Sequence, residues 1–130
     1  MTYALTATVD RPFDDVIADV RAALSEQGFG IITEIDMSET LRTKIGVEID
    51  RQVILGACSP SHAHRALQAD PSVGLLLPCN VVVRSTDGGT VVEMIDPQTM
   101  VALTGRPAMQ EVADDVGARL GAALTAVSTR

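Results

Sequence analysis

Two one-sided apolar stripes, one near each end of this 130-residue chain, limit its fold more than any other feature. In the first, Phe13, Val16, Val20, Ala23 and Leu24 recur at helical spacing; in the second, Val112, Val116, Leu120, Ala123, Leu124 and Val127 do so. A helix with such a stripe is stable only against a second layer. The residues before the first stripe and between the two supply that layer as short strands. Thr2 to Val9 alternates over a strand length, Gly30 to Met37 is rich in isoleucine, and Gln52 to Cys58 is a third run. Asn80 to Ser85 and Thr90 to Ile95 flank Asp87, Gly88 and Gly89, a strong hairpin signal.

Local punctuation refines the helices. Asp10 is a candidate cap for the first, with Pro12 in its opening turn, and Gly28 and Gly30 end it. Ser38 suggests the start of a short helix through Ile45, stopped by Gly46, and Ser59 before Pro60 starts another that Asp70 and Pro71 stop. A brief helical turn opens after Asp96 and Pro97 and runs to about Leu103. The expected class is α+β: two layers, an antiparallel sheet of about five strands with helices packed on one face. One domain over residues 1–130 is the expectation for this length. The other sheet face must carry half of residues such as Ile54, Val81, Val83, Val91 and Ile95, and a chain this small has little left to cover it. An exposed apolar face normally marks a partner site, so a two-fold homodimer is expected.

Charge and aromatic content exclude several function classes. A net charge of -7 disfavours a phosphate backbone as partner, and three aromatic residues, Tyr3, Phe13 and Phe29, offer no base-stacking platform. Nucleic acid and an acidic membrane surface are therefore not expected as partners. The longest apolar run, Val73 to Val83, is interrupted by Gly74, Pro78 and Asn80 and is too short to span a bilayer. The opening MTYALTATVDR lacks the pattern of a secretory signal, so the expected location is the cytoplasm, where two cysteines are ordinarily reduced.

Both cysteines and both histidines fall in one stretch, ILGACSPSHAHRALQADPSVGLLLPCNVVV, from Ile54 to Val83. The succession GFGIITEIDM, LRTKIGV, this stretch and GGTVVEMIDP resembles the bacterial and archaeal family called domain of unknown function 302. The similarity runs from Tyr3 through the last helix, and LGAC at Leu55 to Cys58 with LLPCNV at Leu76 to Val81 are its most specific pieces. It implies a β-α-β4-α arrangement like that of the TATA-binding protein, which carries no DNA-binding inference, since a shared architecture does not imply a shared site. It also implies a dimer, and an antiparallel pairing that sets Cys58 and Cys79 at the same end of the sheet.

The candidate site is the edge from Cys58 to Asn80. Cys58 precedes a helix start, where amides and dipole favour a thiolate, so it is the candidate nucleophile and Cys79 the candidate resolving thiol. Free cysteines are equally at home as buried packing residues. Cys58, His62, His64 and Cys79 have the chemistry of zinc ligands. However, His62 and His64 lie about 200° apart around a helix axis and should not face one ion together, so no metal or other cofactor is expected. His62 and Asn80 are candidate ligand-binding residues. Glu34, on the same side of its strand as Asp36, is a third, and Glu93 is expected to pair with Arg51, Arg84 or Lys44 or to face water at a sheet rim. No GxGxxG, phosphate loop, nucleophile elbow or HExxH occurs. The function expected is a non-catalytic dimeric module that binds a small ligand or a protein. The alternatives are a thiol-dependent redox or sulfur-handling protein using Cys58 and Cys79, and a Cys/His metal-binding protein.

Overall fold

The computed structural model describes residues 2–130 and places five strands in one antiparallel sheet. Strand β1 (Ala4–Val9) leads into helix α1 (Phe13–Glu26), then β2 (Gly30–Asp36), α2 (Met37–Ile45) and β3 (Gln52–Cys58). Helix α3 (Pro60–Ala69) and a 3-10 turn (Pro71–Leu76) precede β4 (Cys79–Thr86) and β5 (Gly89–Ile95), and α4 (Gln98–Thr104) and α5 (Met109–Ser128) finish the chain. The spatial order is β1-β5-β4-β3-β2, so β2 to β5 form a meander and β1 returns to pair with β5. This is the α+β class expected. No helix among the described residues is long and apolar enough to cross a membrane.

The alternation of each strand decides what the helices cover. Leu55, Val81, Val83, Val92 and Met94 are at most 1% exposed, packed with Val16, Val20 and Leu24 of α1 and Leu120, Ala123 and Val127 of α5. Both stripes read in the sequence therefore lie in the core. Val81 and Val83 belong to this covered face. On the other face, register and alternation set Ile54, Val82, Arg84, Glu93 and Ile95, each only partly buried. Arg84 donates from Nε and Nη2 to Glu93 Oε1 at 3.1 and 3.0 Å, and Thr6 donates to Glu93 Oε2 at 3.2 Å, as expected for a strand carboxylate with a cation across the ladder.

Local chemistry explains the element ends, with two departures from the sequence reading. Asp10 does not cap α1: the helix starts at Phe13, with Pro12 at the capping position and no side-chain cap. Helix α2 is capped two residues earlier than Ser38 suggests, because Asp36 accepts from the Glu39 amide at 3.0 Å and from the Ser38 hydroxyl at 2.7 Å. A carboxylate at that position satisfies the first-turn amides as well as a hydroxyl does. The β4–β5 hairpin turns on Asp87 and Gly88, and Gly89 has φ 131°, where a side-chain carbon would meet the Val9 carbonyl oxygen at 2.5 Å. Only glycine fits there.

Candidate functional site

The end of β3, the start of α3 and the start of β4 converge on one end of the sheet. Pairing of Ala57 with Cys79, and of Gly56 with Asn80, puts both cysteines at that end. The register is offset by one, however: Ala57, not Cys58, stands opposite Cys79. Successive residues of a strand point to opposite faces, so the two thiols are not brought together and both are free. The redox pair of the alternative reading is thus not assembled. Burial pushes the Cys79 thiol up from 9.0 to about 11, with a smaller through-space contribution from Cys58, which makes it a packed thiol at neutral pH. Both cysteines, with Ser59, His62, Pro78 and Met100, line a cavity of about 20 Å³. That is the space of one or two small groups.

The two histidines divide as the helical spacing requires. His64 is exposed, whereas His62 is 7% exposed and reaches from α3 to α5. Its Nε2 stands 2.6 Å from Asp115 Oδ2, and its Nδ1 stands 2.6 Å from Ser59 Oγ. The hydrogen bond to His62 holds the Asp115 carboxyl below its ordinary range, and Arg119 and Arg65 add to the effect. The imidazole is therefore held by Ser59 and Asp115 and not by the cysteines. Among the described residues, no three histidine, cysteine, aspartate or glutamate side chains are grouped to hold a metal ion. Glu34 is not part of this end. It is exposed on β2, pairs with Arg21 of α1, and lies four residues along the strand from Gly30, which pairs with Cys58. Four residues span about 13 Å of strand.

Asn80 is the sequence candidate with the most room around it. It is exposed and borders a groove of about 370 Å³ whose walls include Tyr3, Leu75, Leu77, Ile95, Met100 and Leu103. Tyr3, Leu75 and Leu103 are 71%, 88% and 70% exposed, so three of the chain's exposed large apolar side chains gather around one concavity, while others such as Ile32 and Ile45 lie elsewhere. The groove comes from three distant segments: the residues before β1, the 3-10 turn and α4. Sequence reasoning missed it, as it missed Ser59 and Asp115. The available signal was weak: Leu75 sits in a three-leucine run, and Asp115 adjoins the α5 stripe at Val116.

The comparisons agree with this architecture. The family model described as "Domain of unknown function DUF302" matches residues 5–127. The chain belongs to the DUF302 family. A crystal structure of an uncharacterized conserved DUF302 protein from Bacillus stearothermophilus superposes with a TM-score of 0.90 at 31% identity, covering 97% of this chain and 98% of that one. No functionally curated protein matches the sequence. Membership in DUF302 therefore accounts for the five-stranded sheet and its helices, and the site has to be judged on its own geometry.

Proposed function

We propose that this DUF302 domain is a dimeric binding module that holds a small apolar ligand in the groove beside Asn80. The groove itself carries the reading. Its volume of about 370 Å³ lies within the range of about 300–1,000 Å³ usual for small-molecule sites. Its walls are mostly apolar, and no carboxylate, imidazole or amine lines it, which suits it to holding an apolar ligand. Asn80 adds an amide that can orient a carbonyl or hydroxyl of the ligand. Two thiols that are not brought together fit a reducing compartment, and we place the module in the cytoplasm.

Nile red, an uncharged apolar fluorophore, tests the groove. The expected result is saturable binding at one site per chain, weakened at least about tenfold by Leu103→Asp, the loss of about 1.4 kcal/mol of apolar contact. Because Leu103 is 70% exposed, the variant should fold normally. Unsaturable binding, or binding indifferent to Leu103→Asp and Leu75→Asp, refutes the reading.

The dimer is proposed through the open sheet face. Ile54, Val82 and Ile95 supply apolar area, and the adjacent Arg84 and Glu93 allow a two-fold contact to set each charge against its opposite. Sedimentation at micromolar concentration should give twice the mass of the chain, and Val82→Arg should halve it. A wild-type monomer under those conditions rejects the dimer and leaves the groove proposal standing.

A further inference from the structure

The hydrogen-bonded chain Ser59–His62–Asp115 has the connectivity of a nucleophile, a base and an orienting carboxylate, at a place separate from the groove lining. Asp115 is held ionised, and a carboxylate only accepts hydrogen bonds, so the contact at 2.6 Å requires the proton on His62 Nε2. In the neutral ring, Nδ1 is then an acceptor. With the ring neutral, the contact at 2.6 Å has the Ser59 hydroxyl donating to Nδ1, the arrangement that activates a serine. His62 is 7% exposed, which keeps the pair in fixed geometry, while Ser59 is half-buried and lines the cavity of about 20 Å³. The Ser59 hydroxyl is also not spent on capping α3. Pro60 has no amide hydrogen, so the amides of Ser61 and His62 are the first donors at the helix start.

We infer that Ser59 is an acyl-accepting nucleophile for esters of short carboxylic acids, with His62 as its base and Asp115 as the positioning residue. Ser59 Oγ forms a bond to the ester carbonyl carbon as its proton passes to His62 Nδ1. The oxyanion faces the Ser61 and His62 amides. Collapse breaks the bond to the alcohol oxygen, which takes the proton from His62, leaving acyl-Ser59. Water then repeats the sequence: its proton goes to His62, its oxygen bonds to the acyl carbon, and Ser59 Oγ leaves and is reprotonated. A cavity of about 20 Å³ limits the acyl group to about the size of acetyl.

The wild-type protein is treated with a fluorophosphonate probe, and the adduct is located by peptide mass spectrometry; p-nitrophenyl acetate and p-nitrophenyl hexanoate are then assayed. The adduct is expected on Ser59, with the acetate ester turned over at least about tenfold faster than the hexanoate. Ser59→Ala should abolish both adduct and turnover. Asp115→Asn, which favours the wrong tautomer, should lower kcat about a hundredfold or more while leaving KM unchanged. Absence of an adduct on Ser59 in the wild-type protein, or hydrolysis that survives Ser59→Ala, overturns the proposal without needing any variant to fold unusually well. Equal turnover of the two esters overturns the assignment of the acyl group to this cavity. Nile red binding in the groove is read in the same samples, so the two proposals fail separately.

Discussion

The two faces of the sheet are made by alternate residues of the same strands, yet they do different work. On the covered face Leu55, Val81, Val83, Val92 and Met94 are at most 1% exposed. On the open face their immediate neighbours Ile54, Val82, Arg84 and Glu93 stay half-buried, and an ion pair takes the place of packing. The difference teaches that one face holds the fold while the other is free to carry polar groups and borders Asn80. The contrast can be broken by experiment.

The largest effect belongs to the covered face. Leu120→Ala is expected to cost about 2–5 kcal/mol of unfolding free energy in a urea titration, because a fully buried leucine leaves a cavity that helix and sheet close only partly. A loss below about 1 kcal/mol would mean that α5 is not what secures the sheet.

A second expectation concerns Cys79, buried at the end of that same face. Its folded pKa is raised to about 11 from an ordinary value of 9.0, so the folded state keeps the proton longer than the unfolded chain does. Stability is therefore complete below the unfolded value and falls as pH rises from about 9 through about 11, by about 2–3 kcal/mol in all. Urea titrations across that interval should show the decline, and Cys79→Ala should remove it. An equal slope in wild type and variant would show that other groups cause it.

Gly56 tests whether the open face tolerates change everywhere. A side-chain carbon there would clash with Thr33 Oγ1 and come within 2.7 Å of the Pro78 ring, which cannot rotate aside. Gly56→Ala should cost about 1–3 kcal/mol, measured in the same titration. This glycine lets β2, β3 and the approach to Cys79 lie close together, which is the physical content of the LGAC run. A neutral outcome would show that Thr33 and the Pro78 loop yield.

The smallest effect is predicted at the ion pair. Glu93→Gln should change stability by about 1 kcal/mol or less, because Arg84 and Glu93 retain partial contact with water. A larger loss measured on the associated protein, but not on a monomeric variant, would instead point to the pair meeting a second copy.

Much of the fold was legible because burial leaves a period in the sequence. The α1 and α5 stripes, the five strand runs and the Asp87-Gly88 turn all answer to local sterics and to one apolar face per element. Helix starts were less legible. Asp10 and Ser38 were each two positions from the cap the chain uses, and Pro12 and Asp36 took those places. The site was least legible. His62 was singled out for its nearness to Cys58, but its partner 53 residues away, Asp115, leaves no periodic trace. Glu34 was attractive by type and is instead tied to Arg21.

By itself, then, the sequence determined the class, the covered helix faces and the family, because each depends on the spacing of apolar residues or on short local runs. Tertiary structure decided the rest. A one-residue offset between β3 and β4 separated two thiols that the sequence had placed at one end, since side chains alternate faces along a strand. Packing of α3 against α5 chose aspartate and serine as the histidine's partners, and three segments far apart in the chain met to form the groove. Such meetings depend on distances across the fold, which no spacing along the chain records.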